Sequence, residues 1–213
     1  MKIRHFANTF YVEFCDTIDP VCNSQVLALD AALDSKRPSW LLEAVPSYGS
    51  LALVVDLERS PASAIAGELA EISSSVQSVP PREGRLHRMP VRYGGEYGPD
   101  LSAVARRTGL TEEEVVSVHT SREYTCYMLG FTPGFAYLGN LDDRIATPRL
   151  ETPRLKVPAG SVGIAGNQTG FYGVESPGGW QIIGRLVTTT FDPKRKPPST
   201  VLPGDRVRFV RTE

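Results

Sequence analysis

Two hydrophobic patterns divide this chain, and they predict different architectures. Up to residue 76 the apolar positions fall at regular spacing. Residues 8–14 (Asn-Thr-Phe-Tyr-Val-Glu-Phe) are aromatic and β-branched, which suits a strand. Asp19 offers a helix N-cap with Pro20 at the first helical position, and Cys22, Val26, Leu29 and Leu33 follow on one helical face. Residues 40–45 and 50–57 read as two strands joined at Pro46-Ser47-Tyr48-Gly49. Ser60-Pro61 then opens a second helix with Ile65, Leu69, Ile72 and Val76 on its buried side. The order β-α-β-β-α predicts a small layered α+β domain. Residues 73–84, rich in serine, proline and charge, read as a linker, which sets the domains at 1–84 and 85–213.

The second pattern is broken by turns. A strand over 86–92 leads through a loop at 93–100 into a short helix, 101–108, stopped by Gly109. Thr111-Glu112-Glu113-Glu114 forms a capping box for another helix that ends near His119-Thr120. A strand over 123–129 places Tyr124, Cys126 and Met128 on one face and Thr125, Tyr127 and Leu129 on the other. From 128 to 185 glycine and proline punctuate almost every turn, and between them lie short apolar pieces such as Phe135-Ala136-Tyr137-Leu138 and Trp180-Gln181-Ile182-Ile183. Such spacing excludes a helix, and the aromatics need burial, so the stretch predicts a compact all-β unit. Its tight turns bring polar side chains and bare backbone together, which marks it as the functional surface. Pro203-Gly204-Asp205 turns the chain into a closing strand, 206–210. No internal repeat stands out.

Composition narrows the function classes. The chain of 213 residues has a formal net charge of −1 and a 41% hydrophobic fraction, as an ordinary globular protein does. No whole-molecule field favours nucleic acid or anionic membrane. The basic run Lys194-Arg195-Lys196 is short and lies among prolines, as in a solvated loop. Three cysteines (Cys15, Cys22, Cys126), with no CxxC and no ligand-spaced histidine, predict reduced thiols and no structural zinc. The N-terminal residues lack the apolar core of a signal peptide, so a soluble, cytoplasmic protein is expected.

Standard catalytic motifs are missing: there is no P-loop, no GxGxxG after a strand, no HExxH, and Ala159-Gly160-Ser161-Val162-Gly163 has the wrong spacing for a nucleophile elbow. The candidates are isolated polar groups near the glycine turns. His119 closes a helix, where it can favour the helix dipole or point a polar group into the same cleft as Tyr127. Gly166-Asn167-Gln168-Thr169-Gly170 is either a self-satisfied turn or a loop whose amides orient a lactam, urea or carboxylate. Arg149, Arg154 and Lys156, in a proline-punctuated segment, are either surface charge or an anion site. Glu175 is a candidate general base or anchor, and Ser176 a turn cap. Phe131, Phe135, Tyr137 and Trp180 read as core or cleft wall.

Four stretches carry a resemblance: YGGEYGPDL (93–101), HTSREYTCYMLGFTPGFAYLG (119–139), TPRLKVPAGSVGIAGNQTGFY (152–172) and ESPGGWQIIGR (175–185). They closely resemble the KipI family, also labelled allophanate hydrolase subunit 1 and the B component of the bacterial ATP-dependent 5-oxoprolinase. PSYGSLALVVD (46–56) extends the resemblance more loosely to the N-terminal half. It implies a cyclophilin-like β-barrel after a small α+β domain. It also implies a KipA-like partner (allophanate hydrolase subunit 2), a third LamB/YcsF-like subunit, and use of ATP with magnesium to phosphorylate the lactam of 5-oxoproline. His119, Gly134, Tyr137, Gln168 and Glu175 carry over as cleft residues, Gly166 as part of the substrate- or phosphate-binding turn, and Arg154 as an anion contact. The family's usual GFPYLG stands here as GFAYLG, with Ala136 for proline. Two alternatives stay open under the same resemblance: a KipI-like inhibitor of a sensor histidine kinase, and a carboxyltransferase-type subunit related to urea carboxylase.

Overall fold

Five residues that the hydrophobic pattern did not mark, Lys2–Phe6, form the first strand, β1. It is an edge strand, so only Ile3 is even half-buried and its charges face water. It pairs antiparallel with β2 (Thr9–Glu13), followed by α1 (Pro20–Lys36), β3 (Leu41–Pro46), β4 (Ser50–Val55) and α2 (Ala62–Val76). The four strands form an antiparallel sheet of order β1-β2-β4-β3. A computed structural model describes residues 1–76 and 84–213 and separates two units, Met1–Glu83 and Gly84–Glu213.

Capping and spacing act in the first unit as the residues require. The Asp19 carboxylate accepts from Cys22 N at 2.8 Å, with Pro20 at the helix start. Val26, Leu29 and Leu33 are buried, as are Ile65, Leu69, Ile72 and Val76 of α2. Two expectations change. Asn23, not Cys22, completes the buried face of α1, because its amide donates to Ser47 O and Tyr48 O, both at 3.1 Å. Cys22 is disulfide-bonded to Cys15, with Cα atoms 6.1 Å apart, so only Cys126 is a free thiol. An odd cysteine count cannot exclude one local pair, and here Asp19-Pro20 turns the chain back within seven residues. Residues 73–76 of the expected linker belong instead to α2, which runs to Val76 with Ser73 buried in it, and 77–83 lie outside the described residues.

The second unit is a barrel. Its elements are β5 (Leu86–Tyr93), α3 (Leu101–Thr108), α4 (Glu112–Thr120), β6 (Tyr124–Leu129), β7 (Ala136–Gly139), β8 (Arg154–Val157), β9 (Ser161–Ala165), β10 (Gln168–Phe171), β11 (Ser176–Gly178), β12 (Gln181–Leu186) and β13 (Arg206–Arg211). Seven strands close in the order β10-β7-β6-β13-β5-β12-β9, while β11 and β8 form a separate ribbon. This is the mainly-β barrel expected for the second domain, cyclophilin-like in class. Gly109 ends α3 in the left-handed conformation, and the Thr111–Glu114 box caps α4 reciprocally.

Side chains alternate across the barrel wall, so it carries two cores. Inside, Tyr124, Cys126, Ala136, Leu138, Val162, Ile164, Phe171 and Phe209 belong to one cluster. Outside, Phe135, Val157, Ala165, Tyr172, Trp180 and Ile182 form another, with Tyr137 packed against it. The simple alternation expected for 123–129 fails at one place. A register shift between Cys126 and Met128 inserts an extra residue, so Leu129 rather than Met128 packs with Tyr124 and Cys126.

Candidate functional site

The outer aromatic layer rests on two glycines. Gly163 of β9 and Gly170 of β10 lie opposite each other in register. A Cβ on Gly163 would sit 3.1 Å from Trp180 Cβ, and one on Gly170 would sit 3.2 Å from Trp180 Cζ3. Their missing side chains leave a shelf against which the indole packs. Phe135 meets Tyr172 edge-on at 4.8 Å, Trp180 at 5.3 Å and Tyr137 at 4.6 Å, a mutually T-shaped set.

Next to this shelf is a hollow of about 280 Å³, walled by Phe131, Phe135, Tyr137, Tyr172 and Trp180 and bordered by Pro153 and Pro177-Gly178-Gly179. That volume suits a ligand of a few heavy atoms, near the lower end of the roughly 300–1,000 Å³ range of small-molecule sites. Among the described residues, Arg149 is the only charged one lining it. Its loop is pinned on both sides: Gly166 N donates to Thr147 O at 2.8 Å, Gln181 Nε2 to Pro148 O at 3.0 Å, and Leu150 N to Gly179 O at 2.7 Å. Burial raises the phenol pKa values of Tyr137 and Tyr172, and the nearby Arg149 charge pulls both the other way. At the rim, Phe131 is 62% exposed with a positive φ of 63°, a backbone state a bulky residue rarely holds without a constraint. Phe131 also borders a second hollow formed by residues 129–134.

The residues picked from the sequence scatter across this picture. Tyr137 lines the aromatic hollow, and Gly134 lines the adjoining one. Gly134 is a steric necessity: its φ is +72°, and a Cβ there would sit 2.6 Å from Phe191 Cβ and 2.9 Å from its ring. Gly166 turns β9 into β10 at a φ of +57°. Gln168 starts β10, paired with Ala165 of the outer cluster and on the same face as Gly170, at the edge of the layer rather than in the hollow.

His119 is elsewhere. It is 0% exposed, stacked on Phe209 inside the barrel. Tyr93 Oη donates to its Nδ1 at 2.8 Å, and its Nε2–H donates to Thr169 Oγ1 at 2.8 Å, while the Thr169 hydroxyl donates to Gly163 O at 3.0 Å. Every proton in that chain is committed, and burial pushes the imidazole pKa down to about 3. Thr169 and Gln168 are sequence neighbours on opposite faces of β10, so the barrel wall stands between His119 and Gln168. The expectation that the two share a cleft is corrected: His119 holds the interior together as a neutral core residue.

Glu175 is exposed and pairs with Lys156 at 3.2 Å on the ribbon surface, so it faces neither hollow. Ser176 is not a turn cap: its hydroxyl is buried without a partner as β11 begins. Arg154 is a tether, with Nη2 donating to Asp100 Oδ1 at 2.6 Å while Asp100 Oδ2 accepts from Ile182 N at 2.6 Å. Its Nη1 remains buried and unpartnered. Arg149 is one of three cations in a short segment and Tyr172 carries no local mark, so neither stands out in the sequence; the spacing of Gly163 and Gly170 is the signal for the shelf. Among the described residues no group of three or more His, Cys, Asp or Glu side chains is placed to hold a metal ion, and no helix is long and apolar enough to cross a membrane.

Known proteins share this architecture along most of the chain. A family model for the carboxyltransferase domain, subdomain C and D, matches residues 1–201. The chain is 39% identical over 210 residues to the 5-oxoprolinase B component of Bacillus subtilis (strain 168), covering 94% of this chain and 88% of that one. The crystal structure of TTHA0988 superposes with a TM-score of 0.86 at 39% identity over 100% of this chain, which spans 40% of that longer protein. The urea amidolyase of K. lactis shares the fold, with a TM-score of 0.75 at 19% identity, over 96% of this chain and 14% of that one.

Proposed function

From a chain that belongs to the carboxyltransferase-domain family, subdomain C and D, and within it to the relatives named as the B component of 5-oxoprolinase, we propose one member of a heteromeric, ATP-dependent 5-oxoprolinase. It acts with a KipA-like second subunit, and a LamB/YcsF-like third subunit completes the hydrolysis. The observation that carries this reading is the aromatic hollow with its lone cation: a preformed, apolar slot for a small flat ring, with no nucleophile or acid–base pair of its own lining it among the described residues.

A lactam carbonyl is a poor electrophile, so its C–N bond needs activation before water can open it. Transfer of the γ-phosphoryl group of ATP to the lactam oxygen would supply that activation. Such a transfer depends mainly on positioning and charge stabilisation. This chain's share is to hold the ring between aromatic faces. A magnesium ion arriving with ATP would be held by the phosphate oxygens, since no carboxylate or histidine cluster among the described residues is placed to hold it.

The test is reconstitution. The purified chain, the second subunit and the third subunit are assayed singly and together for phosphate release with and without 5-oxoproline. Lactam-dependent release is expected only from the assembled set. Full activity from this chain alone, or no dependence on 5-oxoproline in the complete set, would overturn the reading.

A further inference from the structure

We propose that Arg149 is the specificity-determining residue of the hollow, receiving the carboxylate of its ligand, so that the site takes a small carboxylated ring and rejects neutral cyclic amides and urea. This role rests on the oxoprolinase reading above and deepens it.

Arg149 makes no ion pair among the described residues, although Arg154 and Lys156 nearby in sequence are both engaged by carboxylates. It is the only charged group among the described residues lining an otherwise aromatic, glycine- and proline-walled space. The main chain on either side of it is fixed by hydrogen bonds at Thr147, Pro148 and Leu150, which holds the loop that carries the side chain in place. A planar guanidinium on a loop pinned by backbone hydrogen bonds suits two-point contact with a carboxylate. Arg154 adds to the same field. Its charge, like that of Arg149, acts on the Tyr172 phenol, and its buried Nη1 has an uncommitted donor. The aromatic faces would accept any flat ring, so discrimination between rings falls to the charge. A neutral ligand would leave the cation without a counter-charge and forgo that contact, whereas a carboxylate would satisfy it, so the two are separated by the charge-assisted pair.

Trp180 forms one wall and is one of two tryptophans, so its fluorescence, isolated by comparison with a Trp180→Phe chain, reports occupancy. The intact chain is titrated with 5-oxoproline, with 2-pyrrolidone and with inorganic phosphate. Saturable quenching by 5-oxoproline is expected, weaker by about tenfold or more for the neutral ring and lost to the same extent in Arg149→Ala, with Arg149→Lys in between. Equal responses to charged and neutral rings, a response to phosphate alone, no response at all, or an Arg149→Ala titration matching the parent would each overturn the proposal. In the assembled set, Arg149→Ala is expected to raise KM for 5-oxoproline while leaving KM for ATP unchanged. An unchanged KM for 5-oxoproline would overturn this inference while leaving the oxoprolinase assignment standing. Loss of lactam-dependent turnover in the parent set would instead remove the assignment and leave the titration to decide the pocket.

Discussion

The two faces of one barrel wall use similar residues for opposite ends. Inside, His119, Tyr93, Tyr124 and Phe209 pack together with both ring nitrogens of the histidine hydrogen-bonded. Outside, Phe135, Tyr137, Tyr172 and Trp180 meet edge to face, yet leave a hollow open to solvent beside a cation with no ion pair among the described residues. What separates them is a single strand's alternation: Thr169 faces in and Gln168 faces out. A histidine sealed in the interior is a stability device, whereas the arginine at the rim of the aromatic slot is exposed and makes no ion pair among the described residues. Burial with complete hydrogen bonding, rather than residue type, tells the two apart.

The sharpest way to break this contrast is Trp180→Ala. If the outer layer is a true core, the loss is about 3–5 kcal/mol, measured by denaturant unfolding of the full chain, and the hollow loses its wall. A loss below about 1 kcal/mol would show that the layer is a loose surface patch.

Acid titration separates the faces next. The unfolded chain protonates His119 near 6.5, while the folded interior keeps it neutral down to about 3. The unfolded form therefore binds more protons within that window. Stability is full above pH 6.5 and falls with acidification by up to about 1.4 kcal/mol per pH unit, with a flatter slope in His119→Gln. Parallel slopes for the two chains would show that the histidine is not the group responsible.

A smaller effect tests the inner chain of hydrogen bonds alone. Tyr93→Phe leaves His119 Nδ1 buried without a donor and should cost about 1–3 kcal/mol, with the Trp180 response to 5-oxoproline unchanged. A shifted ligand response would mean that the wall does not insulate the two sides. Smallest of all is Glu175→Gln, which removes only an exposed pair with Lys156. Stability should move by less than about 0.5 kcal/mol and assembled turnover by less than about twofold, since exposed ion pairs contribute little. A larger drop in turnover would restore Glu175 as a participant.

Much of the fold was legible from residue order. The Asp19-Pro20 start, the Thr111–Glu114 box and the Gly109 stop work locally, through backbone groups within a few residues, and each appears where the sequence places it. The site was legible only in part. Tyr137, Gly134 and Arg149 lie in one glycine-rich stretch, and reasoning about that stretch as a whole reached them. His119 and Gln168 lie in stretches that stood out equally in the sequence, but no local rule says which side of the barrel wall a residue will face.

Local chemistry thus determined by itself the helices, their caps, the turns, and the presence of an α+β unit before a β unit. Tertiary structure alone decided barrel closure, the extra residue in β6, the Cys15–Cys22 bond, and the split between a sealed histidine and an available arginine. The physical reason is range: capping and turn formation are settled within one turn of chain. Burial and the pairing of charges depend instead on residues dozens of positions apart, such as His119 with Thr169 or Arg154 with Asp100, meeting across a closed sheet.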